Sequence, residues 1–146
     1  MVTIIVYDDS YKAALIEMVS ASRIAMGLDG AVREDMYDIK ANYLDKGDMF
    51  FLGVDEKGGL LGCLGYSRTE VPTEAFLHRF YVKAERKRRG IGTTLLKYAE
   101  EHMRGNGILI SKVHLGGDEK VWHESYSFYP KHGYVLYAPG YMKKYL

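Results

Sequence analysis

Residues 2–7 form a β-branched run that stops at Asp8-Asp9-Ser10, and the apolar positions after it, Ala14, Leu15, Met18 and Val19, recur at helical spacing. Ser10 stands where its hydroxyl can cap that helix. A weaker helical pattern covers residues 33–44, set off by Gly27-Leu28-Asp29-Gly30. Two strand-like runs, residues 49–54 and 60–66, are joined by Asp55-Glu56-Lys57-Gly58-Gly59 and read as an antiparallel hairpin. Residues 74–83 (EAFLHRFYVK) make a third extended run, followed by a basic loop, Gly90-Ile91-Gly92 and a helix carrying Leu95, Leu96, Ala99 and Met103. Residues 108–115 read as a buried strand, and the intervening helix supplies the crossover that parallel pairing requires. A short helix over residues 123–132, ended by Gly133, and two short strands around Pro139-Gly140 complete the pattern. The expected fold class is α/β (α+β): a mixed, mostly antiparallel sheet with one central parallel pair, flanked by helices.

Composition narrows the class further. With 146 residues, 47% hydrophobic, 13% aromatic and 27% charged, the chain is expected to form one domain over residues 1–146. A chain of this length buries roughly 70% of its unfolded surface and needs no covalent staple. One cysteine, Cys63, excludes an intramolecular disulfide and a multi-cysteine metal cluster, so a cytoplasmic location is expected and no metal. The first residues lack a basic region and soon meet Asp8 and Asp9, and no stretch approaches 18 apolar residues, so neither a secretion signal nor a membrane span is expected.

The formal net charge of +1 conceals a segregation. Residues 1–82 carry 8 Lys+Arg against 13 Asp+Glu, a net of −5, whereas residues 83–146 carry 12 against 6, a net of +6. A general affinity for nucleic acid is therefore not expected; an anionic ligand on the second half and a cationic one near the first are.

The stretch Arg86-Lys87-Arg88-Arg89-Gly90-Ile91-Gly92-Thr93-Thr94 combines cations, glycines and a helix start. A helix N-terminus presents unpaired N–H groups and partial positive charge, usually answered by an early Asp or Glu, but no acidic residue appears between Arg86 and Glu100. Glycine lets the backbone approach a ligand and the threonines offer hydroxyls, so a pyrophosphate suits the vacant acceptor role. A Walker loop is excluded because no Gly-Lys-Ser/Thr ending follows, and the dinucleotide fingerprint fails for want of a third glycine.

Leu77-His78-Arg79-Phe80-Tyr81-Val82, running into Lys87-Arg88-Arg89-Gly90-Ile91-Gly92-Thr93-Thr94-Leu95-Leu96, resembles the acetyl-coenzyme A signature Gln/Arg-x-x-Gly-x-Gly/Ala of the GNAT N-acetyltransferase superfamily. Phe128-Tyr129-Pro130-Lys131-His132-Gly133-Tyr134 is similar to that family's Phe-Tyr-x-x-x-Gly-Phe segment. The resemblance covers nearly the whole chain. It implies a splayed central parallel pair, acetyl-CoA as acyl donor, and transfer to a primary amine of a small molecule or peptide by direct attack in a ternary complex. Carried over by position, Phe80, Tyr81, Val82, Lys87, Arg88, Arg89, Gly90, Ile91, Gly92, Thr93, Thr94 and Tyr129 would contact the coenzyme. Phe80 N–H would face the acetyl carbonyl, Val82 N–H the pantetheine, and the Tyr129 phenol would act as acid to the leaving sulfur. Two departures stand out. Lys87 replaces a forked or amide side chain, and Trp122 and Ser125 stand where the family often carries asparagine and alanine.

The base is open among His78, Glu74, Glu70 and water; strand alternation places His78 on one face with Phe76, Phe80 and Val82. Asp29, Glu34, Asp35 and Asp38 could draw a cationic acceptor. Two other readings remain: a silent acyl-CoA-binding sensor, and a basic nucleic-acid module around residues 83–89. The oligomeric state is open, a homodimer being one option.

Overall fold

The structure, a computed structural model, describes residues 1–87 and 89–146; Arg88 of the basic stretch lies outside the described residues. Its regular elements are β1 (Thr3–Val6), α1 (Lys12–Ala25), α2 (Ile39–Asn42), β2 (Met49–Val54), β3 (Leu60–Arg68), β4 (Glu74–Val82), α3 (Ile91–Gly105), β5 (Ile110–His114), α4 (His123–Lys131), β6 (Val135–Ala138) and β7 (Tyr141–Tyr145). The strands form one sheet in the order β1-β2-β3-β4-β5-β7-β6. Only β4 and β5 run parallel, with α3 as their crossover, and the remaining neighbours are antiparallel.

Both faces of the central strands are covered, so β2 and β3 read as continuous apolar runs. On one face Leu95, Leu96, Ala99 and Met103 of α3 and Tyr129 of α4 pack against Phe51, Leu64, Leu77, Val113 and Met142. On the other, Leu15, Met18 and Val19 of α1, with Met36 and Ile39, pack against Phe50, Leu52 and Cys63. No helix among the described residues is long and apolar enough to cross a membrane.

Two local expectations are corrected. Asp8, not Ser10, caps the first turn: its carboxylate accepts from Ser10 N–H at 2.8 Å, and α1 proper starts two residues later at Lys12. The continuous helix over residues 33–44 is broken into a 3-10 turn, Glu34–Tyr37, the short α2, and a second 3-10 turn, Leu44–Lys46. Asp38 (φ −147°, ψ 73°) leaves helical geometry so that its side chain can accept from Ala41 N–H at 3.1 Å. The acidic, Asp-rich composition of this stretch favours such local caps over a long helix.

The feature that shapes the site is a bulge in β4. Cys63 of β3 pairs with Tyr81 and Gly65 with His78, so Arg79 and Phe80 together oppose Leu64. Arg79 takes up the extra residue in left-handed geometry, φ 54°, the one non-glycine to do so among the described residues. The insertion reverses the alternation. Phe76 and His78 face the α1 side, where His78 lies against Tyr43, whereas Phe80 and Val82 pack on the α3 side. His78 therefore does not share a face with Phe80 and Val82, as uninterrupted period-two alternation would require.

A buried polar network ties the far side together. Glu100 of α3 accepts from Lys144 Nζ of β7 at 3.0 and 3.1 Å and from the Tyr134 hydroxyl at 2.9 Å, and Tyr134 Oη also lies 2.8 Å from Ser111 Oγ of β5.

Candidate active site

Parallel pairing of β4 and β5 spans only residues 74–77 against 110–113. Past Leu77 and Val113 the two strands part, and a cleft of about 260 Å³ opens between them. Leu77, His78, Arg79, Phe80 and Tyr81 line one side, Val113, His114, Gly116 and Gly117 the other, and Trp122, Ser125 and Tyr129 of the α4 region close the back. Lys83 N–H donates to Leu61 of β3 at 2.8 Å. Alternation from that bond turns the amides of Phe80 and Val82 away from β3, toward the cleft.

Tyr129 sits at the base of the cleft in an aromatic stack, its ring 5.3 Å from Tyr134, 5.4 Å from Phe128 and 6.3 Å from Phe80. Its hydroxyl meets no protein hydrogen-bond partner among the described residues, and burial pushes its pKa well above that of an ordinary phenol. The group stays protonated at neutral pH.

His78 Nε2 lies 2.7 Å from Ser67 Oγ. Burial, then the Arg79 charge, lowers its pKa below the ordinary 6.5, and His102 is lowered likewise by burial and by Arg68. A histidine with a depressed folded pKa binds fewer protons folded than unfolded, so its stabilising contribution is full above about 6.5 and is lost as the pH falls below that value. Urea midpoints are expected to drop between about pH 7.5 and pH 5, with a shallower drop in His78→Gln; equal slopes in the two proteins would count against a neutral, buried imidazole at this position.

The other proposed bases lie elsewhere. Glu74 pairs with Lys112 at the closed end of the parallel pair, and Glu70 is exposed in the β3–β4 turn; neither lines the cleft.

Beyond the cleft, α3 begins at Gly90, whose φ of 81° is left-handed and whose Cβ direction meets nothing within 4 Å. No side chain caps α3 and no acidic residue occupies its first turn. Its first backbone bond is Thr94 N–H to Gly90 O at 2.9 Å, so the amides of Ile91, Gly92 and Thr93 find no acceptor within the helix. A Cβ on Gly92 would stand 3.6 Å from Phe80, Val82 and Phe128, which sets this turn directly over the splayed strand. Ile91 itself sends its side chain into the core.

The expected side-chain donors are largely engaged. Thr94 Oγ1 donates to Gly90 O at 2.9 Å. Thr93 Oγ1 lies 3.0 Å from His132 Nε2, while Nδ1 lies 2.9 Å from the Phe128 carbonyl; that carbonyl can only accept, so a neutral imidazole takes the Thr93 proton at Nε2. Lys87 Nζ pairs with Glu124 of α4 at 3.1 Å. Arg89 is exposed beside a second hollow, of about 420 Å³, which Arg86, Lys57, Asp55 and Glu56 also line. The backbone is thus the most available part of the cradle.

Sequence reasoning gave no role at the cleft to four residues that stand there. Arg79, an arginine within an otherwise apolar strand, forms a two-point ion pair with Asp35 at 3.0 and 3.1 Å, and Asp35 also accepts from Tyr43 Oη at 2.8 Å. Arg23 and Arg33, from α1 and the loop after it, reach the same cleft. Trp122 lies over Gly116 so closely that a Cβ there would clash with the indole. The charged residue inside EAFLHRFYVK was the available signal for the first, and Trp122 stood out as a departure from the family pattern; nothing local marked Arg23 or Arg33.

The acetyltransferase (GNAT) family model matches residues 13–134, and the chain belongs to that family. No curated protein matches the chain. Among solved structures, a GNAT-family acetyltransferase from Staphylococcus aureus Mu50 is similar at 22% identity and a TM-score of 0.86, covering 100% of this chain and 99% of its own. The PaiA N-acetyltransferase of Thermoplasma acidophilum, solved with coenzyme A, is similar at 21% identity and 0.77, covering 100% and 99%. A GNAT acetyltransferase of Brucella melitensis, solved with acetyl-CoA, is similar at 15% and 0.71, covering 100% and 88%. At these identities the likeness establishes the fold.

Proposed function

We propose that the protein transfers an acetyl group from acetyl-CoA to a primary amine by direct attack. The observation that carries this reading is the juxtaposition of the β4–β5 cleft, with Tyr129 at its base, and the unpaired amides opening α3. The amides of Ile91, Gly92 and Thr93 would hold the diphosphate, as helix N-termini hold anions. The pantetheine arm would lie along the free edge of β4 and take up backbone bonds as an added strand does. Two of the structural relatives were solved with coenzyme A or acetyl-CoA, which supports the same donor here.

In this reading the Phe80 amide donates to the acetyl oxygen, so charge developing there meets a fixed N–H dipole. His78 stands on the α1 side of β4, where an acceptor would approach. With Nε2–H donating to Ser67, Nδ1 is left to take a proton from the ammonium, directly or through water. The freed nitrogen lone pair attacks the carbonyl carbon, the C–S bond breaks, Tyr129 passes its phenolic proton to the departing sulfur so that coenzyme A leaves as its thiol, and the second proton lost by the nitrogen restores the phenol. The products are an N-acetyl amide and free thiol.

Calorimetric titration with acetyl-CoA and thiol release over an amine panel test the reading; absence of both heat and thiol would end it. Gly90→Val is expected to weaken acetyl-CoA binding by about tenfold or more, because a β-branched residue resists the left-handed turn at a cost of about 1–3 kcal/mol. Gly90→Asn, which tolerates that geometry, is expected to lose far less. Unchanged affinity in Gly90→Val would place the cradle elsewhere.

A further inference from the structure

The identity of the acceptor is written in the charge of the cleft. Its lining includes Arg23, Arg33 and Arg79 with His78 and His114, and among the described lining residues there is neither an aspartate nor a glutamate. This is opposite in sign to the net charge of residues 1–82, and the structure explains why. Asp35 is committed to Arg79 and Tyr43. Asp38 caps α2. Asp29 accepts from Ala31 N–H at 3.1 Å and pairs with Arg23 Nη2 at 3.5 Å, while its backbone carbonyl accepts from Arg23 Nε at 3.3 Å. Glu34 is exposed and absent from the lining. The acidic residues expected to attract a cation are spent on building the wall, and Arg23, Arg33 and Arg79 line the space. Arg79 is charge-paired with its carboxylate, whereas Arg33 is exposed and enters no ion pair among the described residues.

A polyamine or aminoglycoside would bring several positive charges against this surface and meet like-charge repulsion. An amine that carries its own anion would offset that repulsion, and a guanidinium fork matches a planar oxyanion at two points. Resting on the transfer reading above, we propose that the acceptor is a small amine bearing a carboxylate or other oxyanion near the amino group, with Arg33 and Arg23 as its anchor. The overall reaction is unchanged: the amine nitrogen gains the acetyl group, the coenzyme leaves as thiol, and the anion is a spectator that positions the nitrogen.

The experiment compares kcat/KM for α-amino acids, their carboxamides, the matching aminophosphonates and a linear polyamine, in the wild type and in Arg33→Gln, Arg23→Gln and Arg33→Lys. The carboxylate or phosphonate series is expected to exceed the carboxamides by about tenfold or more, the worth of a charge-assisted pair, and the more reactive of the two identifies the anion. Arg33→Gln should narrow that ratio and Arg33→Lys should keep part of it. Carboxamides or the polyamine reacting as well as the anionic amines, or a ratio unmoved by both glutamine variants, would overturn the proposal while leaving acetyl transfer intact. If coenzyme A binds but no amine reacts, calorimetry of the amino acids with the coenzyme complex decides: carboxylate-dependent heat that Arg33→Gln diminishes supports the anchor, and its absence removes it. Lack of coenzyme binding and of thiol release together would instead remove the transferase reading.

Discussion

Tyr129→Phe is expected to lower kcat by about 10²-fold, toward the lower end of what positioned acid–base groups contribute, with the Kd for acetyl-CoA and the thermal midpoint little changed. The substitution removes one oxygen from a ring held by Phe80, Phe128 and Tyr134, so the packing survives and only the proton donor to the leaving sulfur is lost. Burial keeps the phenol protonated, which suits a donor and excludes a base. Steady-state kinetics beside calorimetry separate the two effects. Undiminished turnover would take Tyr129 out of the chemistry and leave it as a packing residue.

Lys144→Met is expected to cost about 3–5 kcal/mol of stability, because it strands the Glu100 carboxylate where solvent cannot reach it. The Glu100 side chain is 4% exposed, and the lysine supplies two of its contacts. For a chain of this size such a loss moves the midpoint down by roughly 10 °C or more. The double variant Lys144→Met with Glu100→Gln should recover much of it, since no uncompensated charge remains. A thermal midpoint unaltered in the single variant would mean that the carboxylate is not isolated as the geometry implies.

Much of the architecture was legible because its signals are local. The β2–β3 hairpin follows from two apolar runs around Asp55-Glu56-Lys57-Gly58-Gly59, and α3 from Leu95, Leu96, Ala99 and Met103 behind Gly90. The parallel pairing of β4 with β5 followed from the helix between them. The bulge was implied only by the family resemblance, through the splayed pair, and its position was not legible in the strand itself, because both faces of β4 carry aromatic or apolar residues and an inserted residue leaves no break in such a pattern. The face assigned to His78 failed for that reason alone. The Glu100–Lys144 pair spans 44 positions, and the arginines of the cleft come from three separate segments, so only the fold brings them together. Residues 33–46 misled for a different reason: their side chains satisfy the backbone locally, and the apparent helical spacing dissolves into separate turns.

The reversal at Arg79 also bears on how such a chain can change over evolutionary time. In the transfer reading proposed above, His78, just before it, faces the α1 side from which the acceptor would approach, and Phe80, just after it, faces the α3 side where the coenzyme would lie. In that reading, drift at the first position can recruit new amines while the second keeps its contact with the coenzyme. A single added residue thereby uncouples innovation from conservation within nine positions of polypeptide.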